Sequence, residues 1–383
     1  MKYTRVSETR GHIKRYVGYK DCEGYSIAIV VPGKSSGGVK QTINKIIRGL
    51  SLEGFCVKRL ESRAKTILNA TMFDIKNISI LRELDAVIYM GSIPLPSHVF
   101  ISNHVKTILF VHGFMKHELL NTILRCDKQC DLKTKAGAIY LLTLWGIFRK
   151  IDKIDLYICR SLTSCEVNAI KKDYIILPEF VFEEEIKSFK EFVKKYCSMH
   201  TDEHGGKRLR VLTYTSYANS PRLLEPHHVE HLMKIVSRQI DKVIELIVVD
   251  PRRESNIYKL SNNLVVEYRK PLPKKRFYEL AMHSDLFIEL NIDEELRNST
   301  IEVGLLETPI AKLTHPVFKE RIDYPEDALI HGYSFNDLAQ RIIQYLKNRE
   351  YYRTIYSRKF KDFVAKYRTW HNVKKPLINF LTS

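Results

Sequence analysis

Apolar residues in this chain fall into short uninterrupted blocks separated by amphipathic or polar stretches, the pattern of buried parallel strands alternating with helices. The first block, Ile27 to Val31, meets a Gly/Ser loop. A segment with Ile43, Ile46, Ile47 and Leu50 on one helical face follows, then a second block from Phe55 to Leu60. This predicts a βαβ unit with a right-handed crossover. Further strands are predicted at 85–91, 105–113, 155–159 and 174–178. A second series lies at 210–216, 244–250, 264–270, 285–291 and 309–313, with "VEHLMKIVSRQI" and "KKRFYELAMH" reading as helices between them. From Asp337 to Leu381 the pattern is nearly continuous helix, broken near Thr369 to Lys375.

The polar stretch at 183–208 separates the two series and suits a domain boundary. The reading is an α/β chain of two doubly wound domains: a basic extension over 1–24, a first domain over 25–205, a second over 206–360 and a terminal helical segment over 361–383. Ligands of such sheets bind beyond the carboxyl ends of the strands. Nothing in the leader reads as a signal peptide. The most apolar stretch, "AGAIYLLTLWGIF" (136–148), is too short to span a bilayer, which takes about 20 residues. Seven cysteines without a CxxC pair or zinc spacing predict free thiols in a reduced, cytoplasmic setting. A formal net charge of +18, spread over both halves, would attract anionic small molecules, anionic lipid or nucleic acid, and does not choose among them.

Four places carry candidate chemistry. Gly37-Gly38 lies between a strand and a helix, where backbone amides approach a phosphate or sugar closely, although the GxGxxG fingerprint is absent. His112 directly follows a strand in "VHGF", and Arg222 lies in "TSYANSPR" beyond the first strand of the second series. The richest stretch is "NIDEELRNSTIEVGLLETP", Asn291 to Pro309. There Ser299 and Glu302 have capping-box spacing, which predicts a helix starting at Ser299. The same helix start would offer amides and a positive dipole end to a phosphate, so cap and ligand site are both open readings.

Taken in order, these features resemble the retaining GT-B glycosyltransferases of glycosyltransferase family 4. Two α/β domains come in tandem, a Gly-Gly loop follows the first strand, and His-Gly follows a later one. Glu294 and Glu302 stand in an E-x7-E arrangement with Pro309 seven residues on, and Trp370 closes the terminal helices. Departures are specific. Glu295-Leu296-Arg297 stands where the family reads G-F-G, Glu307 takes the place of a glycine, and the usual Arg and Lys after the first strand of the second domain are missing.

The resemblance implies a GT-B architecture of two Rossmann-like domains facing a cleft, with C-terminal helices crossing back to the first. It implies transfer of a sugar from a nucleotide donor with retention, commonly without a bound metal, to a glycan, lipid-linked or other acceptor. Glu294 and His112 would lie against the donor sugar, and Glu302 would take the ribose. The amides of Asn298, Ser299 and Thr300 would approach the diphosphate, with Gly37, Gly38 and Arg222 beside it and Arg269 near the base. The run "KTKAGAIYLLTLWGIFRK" suits either an internal helix or an interfacial one docking on anionic lipid. Two other classes stay open: a catalytically degenerate protein of the same fold, and a nucleic-acid binder, against which the basic residues are dispersed and no known motif appears.

Overall fold

A computed structural model of the chain describes residues 24–32, 37–62, 83–90, 104–111, 136, 139, 142–143, 154–197, 208–215 and 224–383. The chain forms two compact units, Met1–Leu177 with Lys374–Ser383, and Pro178–Val373. His112, Arg222, residues 1–23 of the extension and most of the 136–148 run lie outside the described residues.

In the first unit the apolar blocks become β1 (Ser26–Pro32), β2 (Cys56–Ser62), β3 (Ala86–Met90), β4 (Lys106–Val111), β5 (Leu156–Cys159) and β6 (Tyr174–Ile176). They form one parallel sheet in the order β2-β1-β3-β4-β5-β6. Helix α1 (Gly37–Leu52) makes the β1-to-β2 crossover and buries Ile43, Ile46 and Leu50. A short helix, α2 (Leu162–Val167), follows β5. Its cap is reciprocal: Ser164 N donates to Ser161 Oγ at 3.1 Å, and Ser161 N donates to Ser164 Oγ at 3.0 Å.

The second unit opens with α3 (Glu183–Cys197), whose glutamates in the first turn and lysines in the last complement the helix dipole. It continues with β7 (Arg208–Tyr214), α4 (Pro226–Ser237), β8 (Val243–Val249), β9 (Asn256–Ser261), β10 (Leu264–Arg269) and α5 (Lys274–Met282). Then come β11 (Leu286–Glu289), α6 (Asn298–Leu305), β12 (Ile310–Leu313), β13 (Ile330–Gly332), α7 (Phe335–Lys347), α8 (Arg349–Tyr367) and α9 (Trp370–Val373). The sheet order is β13-β12-β11-β7-β8-β10-β9, parallel throughout except for the β10–β9 pair. Counted from β7 and without β9, this is the doubly wound order 3-2-1-4-5-6, so the winding reverses between β7 and β11.

Both faces of this sheet are covered, and neighbouring residues serve opposite cores. Val211 and Val248 pack with α4 and α7, whereas Leu212 and Val249 pack with α3, α5, α6 and α8. That is why the strands read as unbroken apolar blocks instead of alternating. The sheets share one local device: an aspartate just before a strand accepts the first free amide of its neighbour. Asp85 Oδ2 takes Ser26 N at 2.6 Å, Asp155 Oδ2 takes Thr107 N at 2.6 Å, and Asp285 Oδ2 takes Arg210 N at 2.7 Å.

Two of the described strands escaped prediction. β9 is an edge strand with Ile257 exposed, so no apolar block marks it; β13 is Ile-His-Gly, with a single apolar side chain. After α9 the chain rejoins the first unit through α10 (Lys375–Thr382). There Lys106 Nζ donates to the carbonyls of Phe380 at 2.9 Å and Leu381 at 3.2 Å, a cation on a helix's negative end. Among the described residues no helix is long and apolar enough to cross a membrane.

The expectation of free thiols is corrected: among the described residues Cys159 and Cys165 form a disulfide with each other, and Cys56 is disulfide-bonded as well. The end of β5 and the first turns of α2 bring their Cα atoms to 5.6 Å, a separation a disulfide spans without backbone movement. Spacing along the sequence carries no such signal. Closing so short a loop constrains the unfolded chain by about 2 kcal/mol. Cys165→Ala is therefore expected to lower the free energy of unfolding by about that amount in a denaturant titration, and reductant, which also opens the disulfide at Cys56, by more.

Candidate functional site

β11 is buried along its whole length and delivers the chain, at its carboxyl end, into the segment singled out from the sequence. That segment folds on itself through its own acidic side chains. Asn291 N donates to Glu289 Oε1 at 2.9 Å, Glu295 N donates to Asp293 Oδ1 at 2.9 Å, and Asn291 Nδ2 donates to Glu295 O at 3.3 Å. Glu289, Asp293 and Glu294 are all essentially inaccessible to solvent.

Buried carboxylates demand cations, and two are in place. Arg297 Nε lies 2.6 Å from Glu289 Oε1, and Arg297 Nη2 donates to Tyr214 O at 3.3 Å, joining the ends of β11 and β7. Lys312, from β12, is fully buried and donates through Nζ to the carbonyl of Asn291. Burial pushes the Lys312 ammonium below its ordinary pKa, while the charges of Glu289 and Asp293 oppose that shift.

Helix α6 starts at Asn298, one residue before the expected start, with Arg297 in the N-cap position and no side-chain cap bond. The Ser299–Glu302 capping box is not formed. Glu302 faces α5 instead: its Oε1 lies 2.9 Å from Lys274 Nζ, and Lys274 also sits 5.3 Å over the Tyr278 ring. Burial, reinforced by the negative charge of Glu302, raises the pKa of the Tyr278 phenol. The amides named from the sequence are not equivalent, because Thr300 N already donates to Arg297 O at 3.0 Å. The Thr300 hydroxyl, by contrast, is buried without a hydrogen-bond partner.

The structure thus brings Glu294, Asn298, Ser299, Thr300 and Glu302 into one strand-to-helix connection. Arg269 ends β10, where Nε and Nη2 grip the two oxygens of Glu267 at 2.6 and 2.8 Å, so its side chain is committed within its own strand. Gly37 and Gly38 open α1 in the first unit. A Cβ built on Gly38 would meet nothing within 4 Å, so that side of the helix start is open.

Sequence reasoning missed Lys274, Tyr278 and Asp250. Lys274 and Tyr278 stand four apart on α5, spacing that places them on one face, and that spacing was the available signal. Asp250, at the end of β8, accepts from Arg252 N at 2.9 Å and Arg252 Nε at 3.1 Å. Burial works against its charge, and these bonds outweigh burial and hold the carboxyl below the usual range. Among the described residues no group of three or more His, Cys, Asp or Glu side chains is arranged to hold a metal ion.

No family model matches the chain, and no curated protein matches it in sequence. Solved structures do. Sucrose-phosphate synthase from Thermosynechococcus elongatus aligns with a TM-score of 0.59 at 11% identity, over 94% of this chain and 98% of that one. An α,α-trehalose-phosphate synthase from Burkholderia xenovorans aligns with a TM-score of 0.58 at 10% identity, over 93% and 100%. HepE from Anabaena, in complex with UDP-glucose, aligns with a TM-score of 0.57 at 11% identity, over 93% and 99%. The fold is GT-B.

Within this GT-B chain, Glu307, at the place where the resembled pattern has glycine, adopts a backbone conformation that favours glycine. It follows α6 with φ of 66°, in the left-handed region, and its carboxylate lies 2.6 Å from Lys361 Nζ. Nearby, Gly304 has a steric purpose, since a Cβ there would come within 2.2 Å of the Phe360 ring and force α8 away. The half-exposed Glu307–Lys361 pair contributes little, whereas left-handed backbone costs a non-glycine residue about 1 kcal/mol. Glu307→Gly is therefore expected to be more stable than Glu307→Ala by about 1 kcal/mol in urea unfolding, and equal midpoints would remove the strain account.

His331, paired in register with Lys312, is buried with Nε2 unpartnered and Nδ1 4.0 Å from Glu326 Oε2. Burial pushes its pKa down to about 4; Glu326 opposes this and Lys312 adds to it. The native state therefore holds a neutral imidazole while the unfolded chain protonates near pH 6.5. Its stabilising contribution is complete above that pH and is lost as pH falls toward about 4, with a limiting slope of about 1.4 kcal/mol per pH unit. Unfolding free energies measured between pH 7 and pH 4.5 should lose that component in His331→Asn.

Proposed function

We propose that the protein is a retaining glycosyltransferase of the family 4 type, moving a sugar from a nucleotide-sugar donor to a glycan, lipid-linked or other acceptor. The observation that carries this reading is the E-x7-E segment folded as the β11-to-α6 connection of a GT-B second unit, beside the point where the winding reverses. At that place a helix start meets the crevice where doubly wound sheets take their ligands.

Glu294 would accept hydroxyls of the donor sugar and Glu302 those of the ribose. Glu302 is held by Lys274 in the free protein, so ribose binding exchanges that contact or shares it. The start of α6 would receive the diphosphate; the family resemblance further assigns Arg222 and Gly37-Gly38 to the diphosphate, His112 to the donor sugar and the backbone around Arg269 to the base. The family works commonly without a bound metal, and fixed positive groups would then stabilise the leaving diphosphate. HepE is seen with UDP-glucose and with UDP, which makes uridine nucleotides the first donors to try.

The basic surface and the 136–148 run support attachment at the cytoplasmic face of an anionic membrane, where a lipid-linked acceptor would be met. Nucleic acid is the weaker partner for a dispersed charge.

Thermal-shift screening against a panel of nucleotide sugars tests the reading first, because a ligand bound only by the native state raises its stability. With the selected donor, Glu294→Ala is expected to lower kcat by roughly 10²-fold or more, as loss of a transition-state contact does. Glu302→Ala should chiefly raise the donor KM, by about tenfold for a lost interaction of about 1.4 kcal/mol. A wild-type protein that neither binds nor hydrolyses any nucleotide sugar would sink the proposal.

A further inference from the structure

We infer that Arg297 is the residue by which this chain binds the donor's diphosphate, a role for a side chain at a position where the family pattern has glycine. The inference rests on the donor reading above and adds to it the source of positive charge, which the segment after β7 does not supply in the usual form.

Position is the first argument. β7 and β11 lie side by side, yet the winding of the sheet reverses between them, and the crevice beyond their carboxyl ends is where doubly wound sheets take ligands. Arg297 is tied to both: Nη2 reaches the carbonyl of Tyr214, the last residue of β7, and Nε reaches Glu289, the last residue of β11. It is also the N-cap residue of α6, so its guanidinium and the positive end of that helix stand together.

Capacity is the second. A guanidinium carries five N–H donors in a planar fork suited to phosphate oxygens. Two of its nitrogens fix the group in place, and the side chain keeps 19% of its surface exposed. The other cation of the cluster, Lys312, is fully buried and reaches no ligand. Arg297 is thus the cation of this pair with access to the crevice, and Glu289 fixes its direction in advance.

The third observation is independent of Arg297. The Thr300 hydroxyl is fully buried and has no hydrogen-bond partner, an arrangement that costs about 1–3 kcal/mol unless something satisfies it. Thr300 lies three residues beyond Arg297, on the same helix face, and side chains on a helix lean toward its N-terminus. A phosphate oxygen at the start of α6 would accept from this hydroxyl and from Arg297 together.

Isothermal titration with UDP, GDP and ADP, each compared with its own nucleoside, tests the inference on the full chain. The double variant Glu289→Gln/Arg297→Gln removes the guanidinium without leaving a buried carboxylate unpaired. It is expected to lose tenfold or more of the affinity for the preferred diphosphate while nucleoside affinity holds, a split that a merely structural role would not produce. Arg297→Lys keeps the charge and loses the fork, so an intermediate loss of at least threefold is expected; this variant decides the matter if the double variant does not fold. Unchanged diphosphate preference in either folded variant overturns the inference and leaves the donor reading standing. A wild-type protein that binds no nucleoside diphosphate overturns both.

Discussion

The second unit is organised around the reversal of winding between β7 and β11. Parallel strands need long crossovers, and right-handed crossovers that start in opposite directions from one central strand leave their connections on opposite faces of the sheet. The carboxyl ends of the two central strands are then left uncovered by either. Several bonds pin this junction. Asp285 closes the start of β7 through Arg210 N, the Thr213 hydroxyl donates to Ile288 O at 2.9 Å near its far end, and Arg297 ties the last residues together. The acidic part of the candidate site hangs from that end of the sheet: Glu294 in the loop that leaves β11, and Glu302 in the helix that follows.

Placing charge there is costly, and the cost explains the local architecture. Glu289, Asp293, Glu294 and Lys312 are removed from water, and isolated buried ions are strongly disfavoured. The segment meets that demand by turning its carboxylates on its own backbone amides and on cations from its own end and from β12. A connection held this way is fixed by its own bonds, the kind of preorganisation the proposed transfer would need.

The strand series was legible because both faces of each sheet are buried, so nearly every strand is an apolar block that no surface helix would contain. The same criterion hid β9, whose edge position leaves Ile257 in solvent, and β13, whose Ile-His-Gly holds one apolar side chain. The acidic stretch was legible as a connection, but its internal pairing was not. Ser299 and Glu302 have the spacing of a cap, yet Glu302 turns to Lys274, a partner 28 positions earlier that only the packing of α5 against α6 brings near. Local spacing reports what a side chain is able to do; competition from distant partners decides what it does. The disulfide between Cys159 and Cys165 is a case of the same kind, since the turn from β5 into α2 sets its geometry and no motif announces it.

The two glycine positions that this chain fills differently separate the reasons a pattern keeps glycine. At Glu307 the backbone is left-handed with φ of 66°, so a conformation that favours glycine is carried by a strained residue. At Arg297 the backbone is ordinary, with φ of −77° and ψ of 160°. No conformational need for glycine exists there, and the feature a glycine would provide is room. Arg297 gives up that room, but its side chain runs to Tyr214 and Glu289 at the ends of β7 and β11 instead of standing freely over the helix start. A substitution that only blocked the crevice would have no reason to be anchored by two strands. Anchoring fixes the guanidinium at the ends of these two strands, and its charge would then act on an anion received at the start of α6.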